Sequence, residues 1–176
     1  DEFAEDVGKK MLKSRYRSYP VIDNNNYLKG YLSRYHILDY HNKQVILVDH
    51  NEYAQSVKGV ENADLLEIID HHRICDIATS RPISFRNEII GSTASIITSI
   101  YMENQMEIPK NLAGLLLGAI LSDTLKFRSP TTTGKDIGLA KTLAAIAELD
   151  IDTFASQMFQ VSSNISQKSV KELISQ

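Results

Sequence analysis

The segment LLEIIDHH at residues 65–72 decides the fold, and VILVDHN at residues 45–51 repeats its pattern. In both segments a short apolar run, which is typical of a strand buried in a parallel sheet, ends in an acidic residue followed by histidine. In open α/β sheets, ligands bind just beyond the carboxyl ends of parallel strands. The two segments therefore predict an α/β fold in which Asp and His side chains converge on one cleft.

The order of the remaining elements supports this fold class. Strand and helix patterns alternate after residue 43, which predicts a mainly parallel sheet with helices on both faces. A strand is expected at 83–86, a helix capped by GST at 91–93 and running to about Met102, and another over 136–149. The run at 113–121 has no polar side chain, which predicts a helix buried on all sides.

Residues 1–40 form a separate pattern of helix, strand, turn, strand and helix. The first helix covers 1–13, and the DNNN turn at 23–26 joins two short strands. Ser33 is expected to cap the helix over 34–40. A further helix is predicted at 166–176. The first block is too small for a good core of its own, so we expect it to pack against a missing segment or another chain.

Composition excludes several classes of function. The net charge of -3 argues against a general nucleic-acid coat, and no apolar run is long enough to span a membrane. No signal peptide is visible, and the single Cys75 rules out an internal disulfide, so we expect a reducing, cytoplasmic location.

The acidic and histidine residues suggest metal-assisted hydrolysis. Asp49 can bridge two divalent ions, with His71 and Asp123 as further ligands of one ion, a set that suits a transition metal such as Mn²⁺. His72, pointing elsewhere along the strand, could contact a phosphoryl oxygen or act as a general acid. His50 is read as support and Asp70 as orienting the histidines.

Several of these residues also have a simpler interpretation. Asp49 and its neighbours could form an ordinary turn, and Asp123 could merely end its helix. Lys126, Arg128 and Ser129 could bind phosphate or could form a solvated polar loop. The helix start at 91–93 is a possible anion site, but every helix start has free N–H groups.

Four motifs in order, DHNE at 49–52, DHHR at 70–73, IGSTA at 90–94 and SDTL at 122–125, resemble the DHH phosphoesterase domain of family II (manganese-dependent) inorganic pyrophosphatases. The resemblance covers residues 43–176 and implies hydrolysis of inorganic diphosphate to two phosphates. It implies Mn²⁺ or Co²⁺ as cofactor, with Mg²⁺ at the substrate. By motif, Asp49 resembles the metal-bridging carboxylate, His71 and Asp123 resemble ligands of one metal, and His72 resembles the catalytic histidine.

Residues 1–40 resemble the latter part of a CBS motif, as in the subgroup of these enzymes that is regulated by adenine nucleotides. The resemblance makes Tyr16, Arg17 and Tyr19 candidate nucleotide-binding residues. His36 stands where many CBS motifs have the ribose-binding Asp, which departs from the pattern. The full-length protein would be a homodimer without nucleic-acid or membrane partners.

The family's first metal motif and its C-terminal substrate-clamping domain have no match in this sequence. The chain therefore resembles an internal fragment, which we expect to bind metal weakly and to turn over little diphosphate alone. Two rival functions stay open: a DHH phosphodiesterase acting on oligonucleotides or cyclic dinucleotides, and a non-catalytic nucleotide-sensing module.

Overall fold

The computed structural model describes residues 4–38 and 42–162. The chain divides into two compact units. The first unit is made of Asp1–Val45 and Val57–Leu65, and the second of Ile46–Ser56 and Leu66–Gln176. The elements, in chain order, are α1 (Ala4–Lys13), β1 (Ser18–Ile22), β2 (Leu28–Ser33), α2 (Arg34–Leu38), β3 (Gln44–Val48), β4 (Asp64–Asp70), β5 (Ser84–Asn87), α3 (Thr93–Glu103), α4 (Lys110–Asp123), α5 (Gly134–Ala147) and α6 (Ile151–Ser162).

The first unit contains the hairpin that the sequence predicts. Strands β1 and β2 pair antiparallel, with Ser18 opposite Ser33. Asp23 forms the turn because its Oδ1 accepts the backbone N–H groups of Asn25 (2.9 Å) and Tyr27 (3.0 Å). An aspartate that bonds the backbone two residues on is a standard turn former, so the predicted turn is confirmed.

Helix α2 follows β2 directly. His36 Nδ1 accepts the backbone N–H of Ser33 at 3.0 Å, so the helix start is tied by a side chain of its own first turn. Arg34 donates to the carbonyl oxygens of Met11 (3.2 Å) and Ser14 (2.9 Å) at the end of α1. The residues predicted to begin α1, 1–3, and to end α2, 39–40, lie outside the described residues.

The second sheet is parallel, as predicted. Its strand order is β3-β4-β5, and β4 and β5 run parallel with Asp70 opposite Asn87. Asp64 N–H donates to Lys43 O (2.8 Å) near the start of both strands, and Asp49 N–H donates to Ile69 O (2.9 Å) near their ends, so β3 and β4 also run parallel. The α/β class with a mainly parallel sheet is confirmed, and the carboxyl ends of β3 and β4 lie at one edge.

A helical core lies in the second unit. Ile69 of β4, Ile96 of α3 and Ile90, which precedes α3, form one buried apolar cluster. The buried apolar residues of the larger cluster, from α4, α5, α6 and the loop before α4, are Ile108, Ala113, Leu116, Leu117, Ile120, Leu121, Leu139, Ala140, Leu143, Ala144, Ala147 and Ala155. Among the described helices, none has both the length and the apolar character needed to cross a membrane.

The sequence misjudged three helices. Burial of α4 on all sides is wrong, because Leu115 is 72% exposed: α3, α5 and α6 cover only part of its circumference. Helix α5 begins at Gly134, two residues before the predicted start, because Thr133 and Asp136 form a capping box. Helix α6 was not predicted, and the helix predicted at 166–176 lies outside the described residues.

Candidate metal centre

Three of the predicted site residues meet beyond the ends of β3 and β4. One ligand atom from each of Asp49, His71 and His72 lies within 4.8 Å of the other two. The Asp49 Oδ1 and His71 Nε2 atoms are 3.6 Å apart. The Asp49 and His72 side chains are about half exposed, at 53% and 49%, whereas His71 is only 14% exposed. The cluster therefore has one recessed ligand and two that face solvent.

The backbone aims the carboxylate of Asp49. Strand β3 ends at Val48, and Asp49 then adopts a left-handed conformation with φ of 68°. Asp and Asn, like His, occupy this region more readily than most other residues that carry a side chain. The residue that turns the chain out of the sheet is thus the one that carries the carboxylate.

His71 is held in the tautomer that a metal ligand needs. Its Nδ1 lies 2.9 Å from the carbonyl oxygen of Ile90. Because a carbonyl oxygen can only accept, Nδ1 carries the proton and Nε2 presents a free lone pair. Nε2 is also the nitrogen that faces Asp49. A metal-bound histidine usually fixes its other nitrogen in this way.

Asp70 is fully buried beneath the two histidines. Its Oδ1 accepts the backbone N–H groups of His71 (2.8 Å) and His72 (3.2 Å) and the Nδ1–H of His72 (2.7 Å). Burial acts to raise the pKa of Asp70, but the hydrogen bonds from Asn51, His72 and His71 together outweigh it and hold the pKa below its usual range. The ionised carboxylate therefore orients His72 and leaves the other nitrogen of its ring available.

Asn51 has a role that the sequence did not reveal. Its Nδ2 donates to Asp70 Oδ2 (2.5 Å) and to Arg73 O (2.9 Å), while its Oδ1 accepts Cys75 N–H (2.6 Å). The side chain is buried, and its bonds cross to the last residue of β4 and to the segment that follows it. Asn51 thereby ties the β3 end to the β4 end, where the sequence suggested only a turn.

Strand alternation predicted His72 to point away from His71, and this is wrong. The two rings lie side by side, with centroids 4.2 Å apart, because β4 ends at Asp70 and the alternation ends with it. His50 lies outside the cluster, with its Nδ1 donating to Val48 O at 3.1 Å.

Asp123 is exposed at the end of α4 and is not among the three clustered residues. Its Oδ2 accepts the hydroxyl of Ser92, the N-cap of α3, at 2.6 Å. This bond orients the carboxylate, and its role as a ligand stays a prediction.

The loop after α4 contains Lys126, Arg128 and Ser129, which the sequence suggested as phosphate-binding residues or as a polar loop. Lys126 Nζ forms an ion pair with Asp152 of α6 at 2.6 Å. Leu125, Lys126 and Phe127 all have left-handed backbone conformations, with φ of 48°, 53° and 65°. The Ser129 hydroxyl bonds Thr131 at 2.7 Å. The Lys126 amine is thus already paired within the chain.

The candidate nucleotide residues lie in the first unit. The Tyr16 and Tyr19 rings meet edge to face with centroids 6.3 Å apart, and the Tyr19 hydroxyl bonds Ser14. Tyr16 and Arg17 are exposed. The structure therefore brings the two tyrosines together.

The ligand set fits a divalent transition metal. One carboxylate oxygen and imidazole nitrogens in a partly open cluster suit ions such as Mn²⁺ and Co²⁺, whereas Mg²⁺ favours oxygen ligands.

The family model described as "DHH family, N-terminal domain" matches residues 5–120. The chain belongs to the DHH family.

Relatives of this DHH chain are named inorganic pyrophosphatases. It is 49% identical over 173 residues to the cobalt-dependent inorganic pyrophosphatase of Clostridium perfringens (98% of this chain, 32% of that protein). It is 48% identical over 131 residues to the manganese-dependent inorganic pyrophosphatase of Bacillus subtilis (74% and 42%).

A solved structure shares the fold. A Methanococcus jannaschii protein assigned as a family II inorganic pyrophosphatase superposes with a TM-score of 0.67 at 39% identity, covering 74% of this chain and 45% of that one. The chain thus spans between about a third and a half of the length of these relatives.

Proposed function

We propose that the full-length protein hydrolyses inorganic diphosphate to two phosphates with the help of Mn²⁺ or Co²⁺. The observation that carries the proposal is the cluster of Asp49, His71 and His72, in which the Ile90 carbonyl leaves His71 Nε2 free as a ligand. The relatives' names supply the substrate class and the two metals. Mg²⁺ would accompany the diphosphate.

Three residues would hold the metal ion. Asp49 and His71 would hold the ion, and Asp123, oriented by Ser92, would add a further carboxylate. When bound, a divalent ion acidifies coordinated water and so provides a nucleophile at neutral pH. The shell would remain incomplete with these residues alone, which is why we assign the activity to the full-length protein.

His72 is suited to act on the substrate. Its Nδ1–H donates to the buried, ionised Asp70, and its side chain is half exposed. A histidine held in this way can donate a hydrogen bond or a proton from its other nitrogen to a phosphoryl oxygen. We propose this role for His72, in which proton transfer would contribute about 10²–10⁴-fold to the rate.

Regulation by adenine nucleotides is the second part of the proposal. The match to the Clostridium perfringens protein covers 173 of the 176 residues and so must include nearly all of the first 40. The match to the Bacillus subtilis protein covers 131 residues and must leave 45 out. This difference is compatible with an added regulatory block in 1–40, of the CBS type, in which Tyr16, Arg17 and Tyr19 face the nucleotide.

We further propose that the full-length protein is a cytoplasmic homodimer. Size-exclusion chromatography with light scattering measures the dimer directly. A monomer at micromolar concentration would contradict this part of the proposal alone.

Phosphate release tests the main proposal. The full-length protein, stripped of metal and reloaded with Mn²⁺ or Co²⁺, should release phosphate from diphosphate in a malachite-green assay. It should release no mononucleotide from a dinucleotide, which is measured by ion-exchange chromatography because cleavage of a phosphodiester frees no inorganic phosphate. Asp49→Asn and His71→Gln should each reduce both metal affinity and turnover, and His72→Gln should reduce turnover at near-normal metal affinity. His50→Gln, adjacent to Asp49 but outside the cluster, is the matched control and should retain metal binding. Cleavage of a dinucleotide in preference to diphosphate would overturn the assignment.

The nucleotide block is tested separately. Adenine nucleotide should bind the full-length protein and change its rate, and Tyr16→Ala should weaken that binding without changing the rate measured in its absence. Tight nucleotide binding with no metal-dependent turnover would instead favour the non-catalytic sensing module.

A further inference from the structure

The peptide unit between Ile90 and Gly91 joins the metal-site histidine to a distant buried carboxylate. Its carbonyl accepts the Nδ1–H of His71 at 2.9 Å, and its N–H donates to Asp136 Oδ2, also at 2.9 Å. Both bonds belong to one planar, trans amide, whose C=O and N–H point in opposite directions. Fixing the N–H on one side therefore fixes the carbonyl on the other.

Asp136 is built to hold this peptide. Its side chain is fully buried at the start of α5. Oδ1 accepts the Ser95 hydroxyl at 2.6 Å, and Oδ2 accepts the backbone N–H (2.8 Å) and hydroxyl (2.7 Å) of Thr133. Burial acts to raise the pKa of Asp136, but the bonds from Ser95, Thr133 and Gly91 outweigh it and keep the pKa below its usual range. The group bonded to the peptide is therefore a carboxylate anion.

Packing leaves the peptide little freedom. A Cβ added at Gly91 would lie 2.9 Å from the Thr124 methyl and 3.0 Å from Asp136 Oδ2. Thr124 is itself buried, and its hydroxyl donates to Ile120 O. The next residue, Ser92, is the N-cap of α3. Gly91 is thus held between α5, the end of α4 and the start of α3.

We propose that Asp136 is a positioning residue for the metal centre, acting on His71 through the Ile90–Gly91 peptide. The carboxylate polarises the amide, so the carbonyl becomes a stronger acceptor and His71 Nε2 a more basic, better oriented ligand. The usual arrangement, a carboxylate bonded directly to the ligand histidine, is here extended by one peptide unit. This inference rests on the proposed metal-dependent function.

The alternative is that Asp136 only caps α5. A capping role requires the bonds to Thr133 and gives no reason for the bond to Gly91. Thr133→Ala is therefore the matched control, because it removes the capping hydroxyl and leaves the Gly91 bond in place. Asp136→Asn is the test variant, because its amide oxygen can replace Oδ2 and its Nδ2 can donate to the Ser95 hydroxyl. It removes the charge and keeps the shape.

Two measurements on the full-length protein distinguish a positioning role of Asp136 from a capping role. In the metal-free protein, NMR follows the His71 Nδ1 proton, assigned by its loss in His71→Gln, together with the Gly91 amide proton. Both should move upfield together in Asp136→Asn, and neither should move upfield in Thr133→Ala. Calorimetric titration with Mn²⁺ should give a Kd about tenfold weaker for Asp136→Asn, at the low end for outer-shell partners of metal ligands. Thr133→Ala should stay within twofold of the unmodified chain.

The outcomes are distinct. An unchanged His71 proton and a Kd within twofold in a folded Asp136→Asn protein would overturn the inference. Equal losses of metal affinity in both variants would do the same, since that pattern indicates general destabilisation. The expected proton shifts and the expected loss of Mn²⁺ affinity in Asp136→Asn, combined with no hydrolysis of diphosphate by the full-length protein, would support the inference and overturn only the proposed substrate.

Discussion

Replacing Gly91 by alanine should destabilise the protein, whereas the same replacement at Gly138 should stabilise it. At Gly91 the new methyl group would lie 2.9 Å from Thr124 Cγ2 and 3.0 Å from Asp136 Oδ2, and both neighbours are fully buried. Neither can withdraw without breaking hydrogen bonds. Overpacking of this kind costs about 1–3 kcal/mol. At Gly138, inside α5, a Cβ would meet nothing within 4 Å. Alanine in a helix interior is favoured over glycine by about 0.5–1 kcal/mol.

The two variants should therefore differ by roughly 1.5–4 kcal/mol in the free energy of unfolding, with opposite signs relative to the unmodified chain. Urea unfolding followed by circular dichroism measures this, and the denaturant slopes should agree so that midpoints can be compared. Gly91→Ala should also weaken Mn²⁺ binding, because the shifted peptide carries the carbonyl that holds His71. A Gly91→Ala protein as stable as the unmodified chain would refute the close packing on which this reasoning depends.

Three further predictions follow from single features. Leu125→Gly should stabilise the protein by up to about 1 kcal/mol in thermal unfolding, because left-handed backbone costs about 1–2 kcal/mol in residues other than glycine. Leu125 is 58% exposed and has a φ of 48°. The control Leu125→Ala keeps the left-handed strain and should show no gain in stability. Acid should destabilise the chain as pH falls below about 4, because the pKa of Asp136 is lowered in the folded state and the unfolded chain then binds more protons. The free energy of unfolding should fall less steeply with decreasing pH in Asp136→Asn. An unchanged pH dependence in this variant would contradict the prediction. The 176-residue chain alone should release little phosphate from diphosphate with Mn²⁺, because Asp49, His71 and Asp123 leave the coordination shell of the ion incomplete. Rapid turnover by this chain would show that these residues suffice.

The sequence predicted the parallel strands and the convergence of their ends, since both depend on local patterns. Apolar runs mark β3 and β4, and a parallel sheet must bring Asp49 and His71 to one edge. The N-caps Ser92 and Thr133 are local too, and they lie in or beside segments that the sequence marked as a helix start and a polar loop.

What the sequence missed depends on contacts between distant residues. The bond from Gly91 to Asp136 spans 45 positions, and no local pattern distinguishes Asp136 from an ordinary helix-start acid. Asn51 was taken for a turn residue because its bonds to Asp70 and Arg73 cross to the end of β4 and the segment that follows it, about 20 positions away. The exposed Leu115 shows the same limit, since an apolar run indicates burial without showing which faces are covered.

The left-handed backbone at Asp49 also limits how the metal preference of this fold can be altered. Glutamate or cysteine at this position could offer a ligand atom, but a left-handed backbone is unfavourable for both. Asparagine fits the backbone but brings a neutral, weaker oxygen ligand. The histidines carry no such constraint, because neither His71 nor His72 has a positive φ. Redesign for a softer or harder ion would therefore begin at the histidines, with the carboxylate as the invariant member of the set.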